Sequence, residues 1–194
     1  MFTGIIQKTT KIMSVTDERG ALRARLSKPH DWQLTKGQSI SIDGICSTVV
    51  AYDEDSFDVQ YIPETLSKTT AGAFAAGSVV NLERSLRLTD FVDGHLVQGH
   101  VDAAVEIDSV VHEGSTYELS ISIPERLHMF VAALGSIAIN GVSLTVARRE
   151  SGIATVALIP ETLESTNLGR IQKGDHVNVE VDIVARYLAA QGNK

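Results

Sequence analysis

Cysteine is almost missing from this sequence: Cys46 is the single one among 194 residues. That excludes an intrachain disulfide framework and a cysteine-rich zinc site, and it fits a reducing, cytoplasmic compartment. Long apolar runs are missing too. A membrane span needs about 18 consecutive apolar residues, and no window reaches this, so no membrane partner is expected. The opening stretch Met1-Phe2-Thr3-Gly4-Ile5-Ile6-Gln7-Lys8 lacks the basic region and apolar core of a secretory signal. Positive charge is short: 17 Lys and Arg against 24 Asp and Glu give a net charge of −7. Phosphate binding needs the opposite balance, so no nucleic-acid partner is expected. A cytosolic enzyme or a small-molecule binder remains.

Proline is also scarce, and its four positions reveal the organisation. Pro29 and Pro124 lie 95 residues apart, Pro63 and Pro160 lie 97 apart. At the offset of 97, residues 39–83 align with 136–180 without a gap, with 18 identities in 45 positions. Ile62-Pro63-Glu64-Thr65-Leu66 returns unchanged as Ile159-Pro160-Glu161-Thr162-Leu163, and Val80, Asn81 and Glu83 return as Val177, Asn178 and Glu180. Upstream the offset is 95, which pairs Gly4 with Gly99. The chain therefore reads as a tandem duplication. The expected domains are residues 1–90 and 91–181, followed by a short tail, 182–194.

Each copy reads as β. Ser39-Ile40-Ser41-Ile42 and the stretch Tyr117 to Ile123 alternate polar with apolar residues, the period of a half-buried strand. Asp43-Gly44 and Asn140-Gly141 are two-residue hairpin signals, since these residues tolerate positive φ. Short strands with regular turns favour a small closed barrel over a sandwich with exposed edges. One helix per copy is expected after the first proline: Pro124 suits a first helical position, Leu127, Phe130, Val131 and Leu134 share a face, and Gly135 can close the end. Pro29, Trp32, Leu34 and Gly37 are arranged comparably. The tail reads as a helix with Ile183, Val184, Tyr187 and Leu188 on one stripe.

Several enzyme classes are not supported. No G-x-G-x-x-G follows a strand, and the stretch Gly72 to Ser78 lacks the lysine of a phosphate loop and reads as a turn. Gly141-Val142-Ser143-Leu144-Thr145 lacks the final glycine of a nucleophile elbow. His95 and His100 are five apart, on opposite faces of an extended strand, with no cysteine or second histidine pair nearby, so no metal is expected.

The copies differ where chemistry could differ. Cys46 becomes Ser143, Ile5 becomes His100, and Asp182 aligns with Ser85. Taken with the stretches Met1 to Ile6, Val80 to Arg84, Gly94 to Asp102 and Gly135 to Val146, the chain resembles the α-chain riboflavin synthase family over its whole length and in order. The resemblance implies an all-β fold of two six-stranded Greek-key barrels and a carboxy-terminal helix. It also implies dismutation of two molecules of 6,7-dimethyl-8-ribityllumazine. One gives a four-carbon unit to the other, yielding riboflavin and 5-amino-6-ribitylamino-2,4(1H,3H)-pyrimidinedione, with no cofactor or metal.

By the same resemblance one pocket comprises Gly4, Ile5, Ile6, Ser39, Cys46, Ser47, Thr48, Gln60, Tyr61, Ile62, Pro63, Glu64 and Thr65. The other comprises Gly99, His100, Val101, Ser143, Leu144, Thr145, Leu158, Ile159, Pro160, Glu161, Thr162 and Leu163. His100, Ser143 and Thr145 are candidates for deprotonating the lumazine methyl group, Cys46 and Ser39 for adding to the other lumazine or directing water onto it, and Asp182 for polarising one of these groups. Ser47 stands where many relatives carry leucine. Leu134 stands where the family usually carries a lysine that could bind ribityl oxygens. The implied assembly is a homotrimer in which the first barrel of one subunit meets the second barrel of its neighbour, with lumazine synthase as a further expected partner. The alternative is a non-catalytic lumazine- or flavin-binding relative of antenna type.

Overall fold

The computed structural model describes residues 1–114 and 116–192, which form two closed antiparallel barrels of six strands each. The first contains β1 (Lys8–Glu18), β2 (Ala21–Ser27), β3 (Ser39–Ile42), β4 (Ile45–Tyr52), β5 (Ser56–Tyr61) and β6 (Val79–Arg84). The second contains β7 (Ala103–Glu113), β8 (Thr116–Ser122), β9 (Ser136–Ile139), β10 (Val142–Glu150), β11 (Ile153–Leu158) and β12 (His176–Val181). Both close in the same order: β1-β2-β5-β4-β3-β6 is matched by β7-β8-β11-β10-β9-β12. Three hairpin-linked strands with a fourth returning beside the first make this the expected Greek key. The duplication extends to the irregularities. Register shifts fall at Ile12/Ser14 and Val49/Ala51 in one barrel, and at Ile107/Ser109 and Val146/Arg148 in the other. Such bulges bend strands enough to close a small barrel.

Alternation decides which side chains face inward. On β4, Ile45, Ser47 and Val49 are buried while Cys46 and Thr48 are exposed; on β10, Val142, Leu144 and Val146 are buried beside outward-facing Ser143 and Thr145. The hairpins at Asp43-Gly44 and Asn140-Gly141 form as expected, with positive φ at all four residues. The interiors differ in kind. The first barrel buries Trp32, Phe57, Tyr61 and Phe74, whereas Ala154, Leu158 and Ile171 stand where the last three would repeat.

The helices depart from expectation. Residues 29–37 form turns rather than a helix, and the second copy has a 3-10 helix, Glu125–Phe130, with Pro124 before it and not within it. The α-helices of the barrels start instead at the repeated pentapeptide: α1 (Pro63–Lys68) and α2 (Pro160–Ser165). Proline suits the first helical position because its missing N–H would be unpaired there anyway, and Glu64 and Glu161 favour the positive end of the helix dipole. The tail forms α3 (Ile183–Gly192), with Asp182 Oδ1 accepting from Val184 N at its start. Arg186 anchors α3 to the second barrel through Asp102, at 2.6 Å.

The barrels meet across a nearly symmetric contact. Asn81 Nδ2 donates to the Asn140 carbonyl at 3.0 Å, and its repeat Asn178 donates to the Asp43 carbonyl at 2.8 Å. Gly44 and Gly141 touch so closely that a Cβ on either would lie 2.7 Å from the other's nitrogen. Phe2 and Val97, also equivalent, exchange backbone hydrogen bonds and bury each other with Ala138.

Candidate functional site

The segments before β1 and β7 do not stay with their own barrels. Residues 2–6 cross to the second barrel, where the Gly4 carbonyl accepts from Ser143 N at 2.8 Å and Ile6 packs on the second core. Residues 97–101 cross the other way. The Gly99 carbonyl accepts from Cys46 N at 2.8 Å, and Val101 packs on the first core. Glycine is required at both crossings. A Cβ on Gly4 would lie 2.6 Å from Ser143 Cβ, one on Gly99 would lie 2.7 Å from Cys46 Cβ, and both residues have positive φ.

The crossing regroups the expected residues. Cys46 shares a cleft of about 290 Å³ with Glu64, Thr65, Lys68, Gly99, His100 and Val101. This lies just under the usual range of small-molecule sites. Lys68, overlooked in the sequence, brings a cation to this cleft and pairs with Glu64 at 2.6 Å. Ser143 is brought instead to Gly4 and to His95, whose Nδ1 lies 2.7 Å from Ser143 Oγ. Gly4, Ile5 and Ile6 thus leave the Cys46 group, and Gly99, His100 and Val101 join it. The two histidines, five residues apart, serve different sites.

The sequence assigns His95 no catalytic role. Its Nε2 is buried without a partner, and its pKa is lowered by burial, an effect opposed by the charge of Asp182. A neutral ring with its hydrogen on Nε2 can accept the Ser143 proton at Nδ1. Among the described residues no three His, Cys, Asp or Glu side chains converge as a metal site would require.

Other expected residues fall elsewhere. Ser47 points into the first barrel, donating to the Ile45 carbonyl at 3.0 Å and sharing a 2.9 Å hydrogen bond with buried Tyr61, so neither adds polarity to the cleft. Leu144 and Leu158 belong to the second core, with Leu163 packed against it. Ser39 pairs with Thr48, and Ser136 with Thr145, along the β3–β4 and β9–β10 ladders. Gln60 is exposed and donates to Glu18 at 3.0 Å. Ile62 and Pro63 start α1, and Ile159, Pro160, Glu161 and Thr162 start α2. Leu134 is exposed in left-handed conformation, φ 66°, where the first copy has Gly37 at 88°.

Two closed barrels of the same strand order, each receiving the other's leading segment, define a tandem-barrel protein. Residues 3–85 and 98–182 both match the lumazine binding domain family. The riboflavin synthase of Brucella abortus is 40% identical over 195 residues, spanning 97% of this chain and 96% of that protein. The riboflavin synthase of Chlamydia trachomatis is 36% identical over 186 residues (96% and 92%), and that of Bacillus subtilis 34% over 190 residues (97% and 88%). Among solved structures, LumP complexed with 6,7-dimethyl-8-(1'-D-ribityl) lumazine superimposes with a TM-score of 0.84 at 26% identity, covering 93% of this chain and 99% of that one. LumP complexed with riboflavin gives 0.86 at 27%, with the same coverage. The chain belongs to the riboflavin synthase family of tandem lumazine-binding proteins.

Proposed function

We propose that this chain is a riboflavin synthase, joining two molecules of 6,7-dimethyl-8-ribityllumazine by four-carbon transfer to give riboflavin and the pyrimidinedione. The observation that carries this reading is the pair of unlike sites. One offers a thiol with His100, the other a hydroxyl held by His95 with the charge of Asp182 close by. Two molecules of one substrate must play different parts, as donor and acceptor, and unlike sites on alike frames assign those parts. Holding the two rings in register makes an encounter between two molecules effectively intramolecular, worth several kcal/mol of barrier.

The lumazine methyl carbanion is delocalised into the ring, so a modest base is sufficient to form it. An imidazole suits that role near neutral pH. Ser143 hydrogen-bonded to neutral His95 supplies one such base, and His100 in the other cleft supplies a second. Cys46 adds to the partner lumazine or directs water onto it in this reading. Glu64 and Thr65 suit ribityl hydroxyls, and buried polar groups left unpaired by a wrong ligand would enforce that choice.

The Cys46 cleft takes no wall from the Ser143 site, which supports a reaction in which the two lumazines meet between copies of the chain. In the proposed homotrimer one subunit's Cys46 site faces its neighbour's Ser143 site, and the exposed Val184, Tyr187 and Leu188 of α3 pack on other subunits. Lumazine synthase is the partner that would deliver substrate, and a cytoplasmic setting suits a lone thiol in the site.

A second reading, a lumazine- or flavin-holding protein without turnover, is favoured by the likeness to LumP. Incubation with the lumazine separates the two. The enzyme yields one riboflavin for every two lumazines consumed. Folded protein that retains lumazine and forms no riboflavin overturns the synthase reading in favour of the second.

A further inference from the structure

β6 and β12 each carry a buried acid next to their last residue, Glu83 and Glu180, 2% and 4% exposed. Ionised carboxylates are buried almost only when paired with a cation, yet neither forms a salt bridge among the described residues. Both are satisfied by peptide N–H groups instead. Glu83 accepts from Thr3 N at 2.6 Å, Thr3 Oγ1 at 2.7 Å and Gly4 N at 3.0 Å. Glu180 accepts from Gln98 N at 2.7 Å, Gly99 N at 2.9 Å and His100 N at 3.0 Å. These donors lie in the two crossing segments, which have no strand ladder there to hold them.

We infer that Glu83 and Glu180 are positioning residues for the two sites, each acting on the site of the opposite barrel through the segment it holds. Glu83, on the first barrel, fixes Thr3 and Gly4 against Ser143. Thr3 in turn accepts from His95 N at 3.1 Å, so the same hold reaches the imidazole beside Ser143. Glu180, on the second barrel, fixes Gln98, Gly99 and His100 over Cys46. The inference deepens the riboflavin synthase reading and rests on it for the meaning of the sites, though the hold itself is independent of any ligand.

A carboxylate fits this task better than any neutral side chain. It offers two acceptor oxygens and no donor, and its hydrogen bonds are about twice as strong as neutral ones. Glutamine has the same shape but turns one oxygen into an NH₂ group facing peptide N–H donors. Glu180→Gln and Glu83→Gln therefore fill the same space while releasing part of one segment each.

The single cysteine makes the test specific. In the whole chain, the rate at which Ellman's reagent modifies Cys46 is expected to change about tenfold in Glu180→Gln and to match wild type in Glu83→Gln. Protection of Cys46 by 6,7-dimethyl-8-ribityllumazine weakens correspondingly in Glu180→Gln alone, while riboflavin formation falls in both. Equal changes of labelling in the two variants, or none in either, overturn the inference. Wild-type protein gives a reading that no folding defect can spoil. Amides of Thr3, Gly4, Gln98, Gly99 and His100 should exchange with deuterium as slowly as those of β6 and β12, and fast exchange there also overturns it. If wild type binds no lumazine, the functional reading fails, while labelling and exchange still decide the hold.

Discussion

The outward face of β4 carries Cys46 and Thr48, and the same positions of β10 carry Ser143 and Thr145. Beneath them the first barrel packs Trp32, Phe57, Tyr61 and Phe74 among its aliphatic side chains, whereas the buried core cluster of the second is aliphatic throughout. Yet the hairpins, bulges, closing order, crossing glycines and buried glutamates agree between the two. Duplication has kept these features, which place the residues, and varied the side chains at the placed positions. This is what a reaction between two copies of one molecule requires.

The comparison breaks most severely at the crossings. Gly99→Ala forces a Cβ into Cys46 at positive φ, and Gly4→Ala does the same at Ser143. Each should destabilise the protein by about 2 kcal/mol or more. Each should also lower turnover at least as far as loss of the adjacent side chain, as read by thermal unfolding beside a riboflavin assay.

Removing the chemistry without the frame comes next. Cys46→Ala, His100→Ala and Ser143→Ala should lower kcat by about 10²-fold while changing lumazine affinity much less, because groups that act in the transition state show in kcat. Wild-type turnover in a stably folded variant would return that residue to a structural role.

The barrels also differ at one buried turn, Asp43 against Asn140. Burial pushes the Asp43 carboxyl up to about 7, against hydrogen bonds from Asn81 N and Asn167 Nδ2 that favour its charge. A folded pKa above the unfolded value means stability present below pH 3.8 and lost as pH rises through about 7. Asp43→Asn keeps the acceptor oxygen and removes the charge. It should raise the melting temperature at pH 8 by several degrees, about 1 kcal/mol or more, with a gain that shrinks as pH falls and vanishes only near pH 3.8. The smallest effect is expected at Leu134, whose left-handed backbone has a glycine at the equivalent position of the first copy. Leu134→Gly should stabilise by up to about 1 kcal/mol, measured by denaturant titration.

Much of the frame was legible in the sequence. The offset of 97 gave the duplication, alternation gave the inward and outward faces of β4 and β10, and Asp-Gly and Asn-Gly gave the hairpins. The crossing was not. An alignment of copies assigns Gly4 to Cys46 and Gly99 to Ser143 by chain order, whereas the chain pairs them the other way through contacts more than fifty residues distant. The resemblance puts Ser47 and Tyr61 in a pocket beside Cys46 and Ile62, but a one-residue step along a strand turns a side chain to the opposite face. The helices at Pro63 and Pro160 were visible as a proline followed by glutamate, and the expected binding role of that pentapeptide obscured it. Glu83 and Glu180 carried a signal as well: they repeat at the outward positions of equivalent strands.

The account depends above all on two unlike half-sites that meet between chains, and mixed assemblies test this directly. Cys46→Ala chains lack one half-site and Ser143→Ala chains lack the other. Refolded together in equal amounts, they should regain roughly a quarter of wild-type riboflavin formation, since in a closed ring one interface in four joins two intact half-sites. Each variant refolded alone should keep only about a hundredth of wild-type turnover. A mixture no more active than its components would contradict the account, because it would place both lumazines within a single chain.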